Sequence, residues 1–424
     1  MGAHLLVALA LFVSPQSAQS AQPAQSLTTA QEVVSAIRVH GNLTISDQDV
    51  VQLAGVAIGS PLSASMPAEI EARLRATKRF RSVDVLKRFA SIEDPSQVLL
   101  VIVVDEGSVK IQLTGDADNP TRVVRTHGPR IMFFPLLSAE DGYGVSYGAQ
   151  LALPEPAGKG SRIVMPLTWG GDKRAEIEFQ KDIDGALSRV SAGAALSRRT
   201  NPFFEADDDR RQLWIRGERD VVSALRLGAT AGYQHISFLG ADDSFTHAGG
   251  DVEFDTRLDP MLARNAVYGR AAWEHLSFAS GGINHTELDG RGYLGLSGQN
   301  VLVVRGLRDD ADKPRPAYLE PMLGGMDNLR GFRTGTAIGD TLVAASVELR
   351  APITSPLSIG KMGLMAFVDS GAVYAKGERL GDQTFRHGVG GGVWFSAAFV
   401  RFNVAVAHGI GASTRVHVGG SLSF

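Results

Sequence analysis

From about residue 130 to the C-terminus, apolar and polar residues alternate in short runs. "KRAEIEFQK" places Arg174, Glu176, Glu178 and Gln180 on one side and Ala175, Ile177 and Phe179 on the other. "DVEFDTR" sets Asp251, Glu253, Asp255 and Arg257 opposite Val252, Phe254 and Thr256. "VRFNVAVA" and "RVHVGGSLSF" repeat the pattern, with Arg401, Asn403, Arg415 and His417 on their polar sides. Period 2 is the mark of a strand with one apolar and one polar face. Roughly 15–16 such segments fit into about 295 residues, with room for strands of ~9–11 residues plus turns. A soluble sandwich would also alternate. Here the polar faces carry charges on strand after strand, which suits a wet lumen inside a membrane barrel.

Residues 31–107 follow a different pattern. "EVVSAIRVHGN" reads as a strand closed by Gly41-Asn42. "SDQDVVQLAG" opens a helix at Ser46, with Asp49 three positions on, and ends it at Gly55. "SMPAEIEARLRATKRF" begins a second helix at Ser65 with Pro67 in its first turn. "RSVDVLKRF" and "VLLVIVVDEG" then read as strands. The order β-α-α-β-β predicts three strands with both helices on one side. Residues 108–129 read as a linker, and 130–424 as the barrel.

Composition sharpens this picture in three places. A net charge of −3 gives no basic surface for nucleic acid, and zero cysteines exclude disulfides and thiolate chemistry. A mean hydropathy of +0.01 fits a membrane barrel, because outward and inward residues cancel. The leading "MGAHLLVALALFV" is apolar and is followed by small and polar residues. It reads as a signal peptide over 1–20, with Ala18-Gln19-Ser20 as the cleavage box. It lacks the usual basic start, and a short buried helix is the other reading. Residues 21–30 read as a linker.

The stretch "GGMDNLRGFRTGTAIGD" (Gly324 to Asp340) is too rich in glycine for a helix and too long for a hairpin turn. It belongs to a segment, 309–340, expected to fold into the lumen. There Arg330 would need partners. In "TLVAASVELRAPI", Val343, Ala345, Val347 and Leu349 form the apolar face, so Glu348 points inward with Ala344 and Ser346. In "MGLMAFVDSGAVY", Met362, Leu364, Ala366 and Val368 point outward, so Asp369 points inward beside Phe367. A guanidinium can bind both carboxylates in forked geometry. Gly331 would let the tip turn sharply against the wall.

"LRGF" after Gly324-Gly325, then "GD…VELR" and "FVDSG", closely resembles the bacterial surface antigen family of outer-membrane assembly and translocation proteins. The family implies an inward loop with an arginine-glycine-aromatic tip in a sixteen-stranded barrel. Arg330, Gly331 and Phe332 match that tip, and Glu348 and Asp369 match its partners. "FDTRLDP" (Phe254 to Pro260) resembles a mid-barrel segment, and the terminal Phe424 resembles the usual ending of such barrels. "IRVHGN…GSPLS…ATKRFRSVDV…VIVVDEG" resembles one POTRA domain. "VKIQLTG" resembles the first strand of a second, but no helices follow. The expected fold is mainly β: an antiparallel transmembrane barrel of about sixteen strands preceded by one small α+β POTRA-like domain.

The expected location is the bacterial outer membrane, with the POTRA-like domain in the periplasm. The expected function is capture of client polypeptides by that domain and their insertion into, or export across, the membrane. Partners are the lipid bilayer, unfolded client polypeptides and periplasmic accessory proteins. A passive porin-like or structural barrel and a lipid transporter stay open as alternatives.

No HExxH, G-x-S-x-G or Walker pattern is present. No enzyme activity, cofactor, metal or nucleic acid is expected. "EADDD" (Glu205–Asp209) reads as a solvated hairpin loop before it reads as a cation site. "HGVGGGVW" reads as strand glycines that permit curvature or a bulge, and His417 as filler of the lumen. Gly419 and Gly420 lie within the last strand. They suggest either a seam that opens sideways or room for the folded-in loop.

Overall fold

A computed structural model describes residues 32–422, apart from 43–44, 64, 81, 91–93, 95, 107–108, 114–120, 126–130, 184, 258–262, 355–359 and 398–399. The segments read as signal peptide and first linker lie outside the described residues, as do Phe424 and residues 258–260 of "FDTRLDP".

The N-terminal unit comprises β1 (Val33–His40), α1 (Asp47–Ala54), α2 (Met66–Ala76), β2 (Ser82–Phe89) and β3 (Gln97–Asp105). Its sheet order is β1-β3-β2, with β1 parallel and β2 antiparallel to β3. The most apolar strand takes the centre. Val98, Leu100, Ile102 and Val104 of β3 bury one face in a core with Val50, Ala54, Ile70 and Leu74 of the helices. The Asp49 N–H donates to Ser46 Oγ at 3.2 Å, which caps α1, and Gly55 ends it in the left-handed region at φ 62°. Gly41 has φ 85°, and a Cβ there would stand 2.0 Å from the Val104 carbonyl oxygen, so only glycine fits.

Part of the stretch read as a linker is paired: β4 (Val109–Leu113) and β5 (Thr121–Arg125) form an antiparallel hairpin. The barrel strands are β6 (Met132–Glu140), β7 (Gly144–Pro154), β8 (Ser161–Gly170), β9 (Asp172–Asp182), β10 (Arg189–Asn201), β11 (Ala206–Val222), β12 (Leu225–Phe238) and β13 (Ala241–Asp255), followed by β14 (Ala266–Phe278), β15 (Gly281–Gly295) and β16 (Val301–Ala311). A loop then carries two short strands, β17 (Met322–Leu323) and β18 (Ala337–Ile338). The wall is completed by β19 (Thr341–Thr354), β20 (Gly360–Tyr374), β21 (Arg386–Ala397), β22 (Val400–Gly409) and β23 (Thr414–Leu422). Sixteen of these strands form a closed barrel in which β23 pairs with β6.

The expected fold class is therefore the observed one. Because β16 runs to Ala311, the inward loop proper covers 312–340, and Asp309 and Asp310 belong to the wall.

The two faces follow the alternation. Leu213, Ile215, Trp273, Val304, Leu364 and Val406 stand exposed on the outside. A soluble protein rarely exposes so continuous an apolar surface, whereas lipid requires one. Inside, charges pair along and across the strands. Arg216 donates to both oxygens of Asp251, at 2.6 and 3.1 Å, and Asp289 accepts from Arg291 and Arg305. The aspartates of "EADDD" lie on β11 rather than in a loop. Asp208 pairs with Arg210, and Asp209 with Arg198.

Candidate functional site

The strand register builds the receptor for the loop tip. Ser346 of β19 lies opposite Asp369 of β20, and Glu348 lies opposite Phe367. All four side chains share the lumen face, so two adjacent cross-strand pairs make one polar-and-aromatic patch. Met322-Leu323 and Ala337-Ile338 pair to form the neck of the loop, and the tip descends onto that patch.

Arg330 closes the contact. Its Nε donates to Asp369 Oδ2 at 2.7 Å and its Nη2 to Asp369 Oδ1 at 2.7 Å, a forked pair. Its Nη1 donates to Glu348 Oε2 at 2.5 Å, and Nη2 also donates to Ser346 Oγ at 3.0 Å. The Arg330 backbone N–H adds a bond to Asp369 Oδ2 at 3.0 Å. The guanidinium carbon sits 3.4 Å from the centre of the Phe367 ring, a cation–π contact. Arg330, Glu348 and Asp369 are 6%, 7% and 2% exposed. Burial of this order makes each partner depend on the others, because an uncompensated charge there is costly. Glu348 keeps a second cation, since Arg350 Nε donates to its Oε1 at 2.6 Å.

The tip is shaped by close backbone approach. Gly331 has φ 94°, and a Cβ there would lie 2.6 Å from the Gly409 nitrogen. A Cβ at Gly388 of β21 would lie 1.8 Å from the Arg330 carbonyl oxygen. The glycine at the start of the β21 run therefore admits the loop tip, where the sequence suggested curvature or a bulge. Phe332 is buried with Leu323, Leu329, Leu342 and Ala344.

His417 is no mere filler. Its Nε2 accepts the Gly331 N–H at 2.8 Å, and its Nδ1 lies 2.6 Å from Asp141 Oδ2. The first bond puts the proton on Nδ1, which donates to the carboxylate. Thr334 Oγ1 donates to the Asp141 carbonyl at 3.0 Å. The loop is thus tied to the last barrel strand and to the turn after the first. At its base, Arg315 donates from Nη2 to Asp309 Oδ1 at 2.5 Å and to the Asp340 carbonyl at 2.7 Å. The Tyr318 hydroxyl donates to Asp243 at 2.5 Å.

The structure brings Arg330, Glu348 and Asp369 together. Gly331 and Phe332 lie beside them, and Gly419 and Gly420 lie apart, at the seam. The contributions of Ser346, Phe367, Asp141, Arg315 and Asp340 were not read from the sequence. Alternation alone places Ser346 and Phe367 on the right face, but no local pattern ties Asp141 to His417.

Among the described residues the seam is the least paired junction. Among the described residues β23 meets β6 only through Gly420–Ala139, Ser421–Ser138 and Leu422–Leu137. By contrast, β22 and β23 pair from Val400–Leu422 to His408–Thr414. At Gly419 a Cβ would meet Met326 of the loop at an ordinary 3.5 Å. At Gly420 it would stand 2.9 Å from the Arg401 carbonyl oxygen and 3.1 Å from the Phe402 ring. The tight spot is thus against β22, and the loop does not require glycine at either position.

Residues 219–423 match the model of the Omp85 superfamily domain. The match takes in the inward loop, both its acidic partners and the last strands. No curated protein matches the sequence. Among solved structures, the fold is similar to BamA from Haemophilus ducreyi lacking POTRA domains 1–3. The TM-score is 0.62 at 14% identity, over 92% of this chain and 84% of that one. It is also similar to CdiB from Escherichia coli, with a TM-score of 0.52 at 10% identity, over 96% and 93% of the two chains. At such identities the likeness speaks for the fold. With the apolar outer wall, this is an outer-membrane barrel.

Proposed function

We propose that this protein is an outer-membrane assembly or translocation factor. The N-terminal unit, POTRA-like in its element order, faces the periplasm and captures client polypeptides, which the barrel inserts or exports. The observation that carries the reading is the arginine-held loop folded into a barrel whose closing seam has three register pairs among the described residues. A passive pore gains nothing from a plug tied to its own seam. An assembly factor gains a barrel that stays closed at rest and parts at one junction.

Capture by strand addition needs a free sheet edge. The edge of β2 is engaged: Val85 N–H donates to Glu71 Oε1 at 3.0 Å, and Arg75 Nη2 donates to the Val83 carbonyl at 2.7 Å. The start of β1 is covered, where Val34 N–H donates to the Ser60 carbonyl and Leu62 N–H to that of Glu32. The edge from Ala36 to His40 has no partner among the described residues, and Arg38 and His40 on it are exposed. Photo-crosslinkers at Arg38 or His40 of the full chain should label a radiolabelled client during transport. Client transported with no adduct from this edge would reject capture by β1.

A further inference from the structure

One stretch of the outer wall departs from the apolar exterior. It lies on the outward faces of β8 to β12, at the barrel end where the inward loop enters. The register sets Lys173 of β9 level with Arg198 of β10, and Arg198 level with Asp209 of β11. Arg211 stands one outward position closer to mid-barrel, level with Leu196. Arg198 is engaged, with Nη2 donating to Asp209 Oδ2 at 2.8 Å. His235, level with Arg211, faces Asp242 at 2.9 Å. Lys173 and Arg211 are exposed, and neither has an acceptor among the described residues.

These two cations overlook a groove. Ala175 is flanked in register by Leu167 and Leu196, so the wall dips between two leucines. Towards mid-barrel the dip opens into a groove of about 560 Å³ lined by Ile177, Leu213 and Tyr233. Towards the rim it widens to about 880 Å³ between Trp169, Lys173 and Arg211. An outward cation costs roughly 2–4 kcal/mol at the bilayer midplane and little near the interface. Tryptophan is enriched at that same interface. Trp169 therefore marks the depth at which lipid headgroups begin. The acceptors available there are phosphates, and the only filling for the apolar groove below is acyl chain.

We propose that this groove is a binding site for a phosphorylated lipid. The phosphate bridges Lys173 and Arg211 in charge-assisted hydrogen bonds, and an acyl chain lies along Leu196, Leu213 and Tyr233. The inference rests on the barrel spanning a membrane and is independent of client transport. Two sources share the chemistry: a multi-acyl bis-phosphorylated glycolipid of the outer leaflet, and a diacyl glycerophospholipid.

The test is lipid binding to the full chain in detergent micelles, read by native mass spectrometry and by titration. The probes are lipid A, chemically dephosphorylated lipid A and phosphatidylglycerol. Wild type should retain lipid A or phosphatidylglycerol and lose the dephosphorylated form, and the tighter of the two names the source. Lys173→Ala with Arg211→Ala should weaken binding about thirtyfold, at roughly the worth of two cations beside an anionic surface. Lys173→Arg with Arg211→Lys should keep most of the affinity. Equal retention of dephosphorylated lipid A by wild type would overturn the proposal, and so would unchanged affinity in a folded double-alanine variant. The dephosphorylated comparison needs no variant, so it discriminates even where a mutant misfolds.

Discussion

Two junctions of the lumen wall touch the same loop and are held very differently. At β19–β20, one guanidinium binds Asp369, Glu348 and Ser346 and lies on Phe367. At β23–β6, the described ladder consists of Gly420–Ala139, Ser421–Ser138 and Leu422–Leu137. The same loop touches both, through Arg330 on one side and through Gly331–His417–Asp141 on the other. Cohesion is thus concentrated where the loop meets continuous wall. The junction that closes the barrel is supported from inside. A barrel has no edge only while its seam is paired, and the loop braces that seam from inside.

The contrast can be broken most completely at the seam. Ser138 and Ser421 are paired partners. Their Cα atoms therefore lie about 5 Å apart, within disulfide reach. The chain has no cysteine of its own, so Ser138→Cys with Ser421→Cys gives a clean lock. Client insertion into proteoliposomes should be abolished in the oxidised form and restored by reductant. Full insertion by the oxidised form would end the case for an opening seam.

The other side of the contrast is tested at Arg330. Arg330→Ala leaves Asp369 without a cation, at a cost of roughly 3–5 kcal/mol for a broken buried pair. Urea unfolding in detergent should show the loss. Arg330→Lys should recover little of it, since an ammonium cannot fork across Asp369 while reaching Glu348. A variant as stable as wild type would mean that the lock is ornamental.

A gentler wedge is Gly388→Ala, whose Cβ would stand 1.8 Å from the Arg330 carbonyl oxygen. Overpacking of this kind typically costs about 1–3 kcal/mol. Limited proteolysis should reveal a lifted loop with the barrel intact, and an unchanged digestion pattern would show that the wall can yield.

The smallest expected effect sharpens the comparison most. His417→Ala strands the Gly331 N–H and the Asp141 carboxylate while sparing the arginine lock, at about 1 kcal/mol. Hydrogen exchange should quicken in β23 and stay unchanged in β19 and β20. Equal quickening on both walls would mean that the loop is one rigid plug and not a brace with two separable ends.

Much of this architecture was open to sequence reading, because its information is local. Period 2 within each run assigned Glu348 and Asp369 to the lumen before any partner was known, and placed Ser346 and Phe367 there with them. Ser46 and Gly55 bounded the first helix through turn chemistry within ten residues. The paired hairpin at 109–125 was missed because pairing is not a property of either strand alone.

What alternation determines is the face on which a side chain stands, and here that sufficed for the barrel, its wet interior and the acids awaiting Arg330. It cannot determine register, which sets Ser346 beside Asp369 and Lys173 level with Arg198. Nor can it determine closure, which carries His417 to Asp141 across 276 positions of the chain. Face is decided by each residue's immediate neighbours. Register and closure are decided by which strands meet, and only the assembled wall settles that.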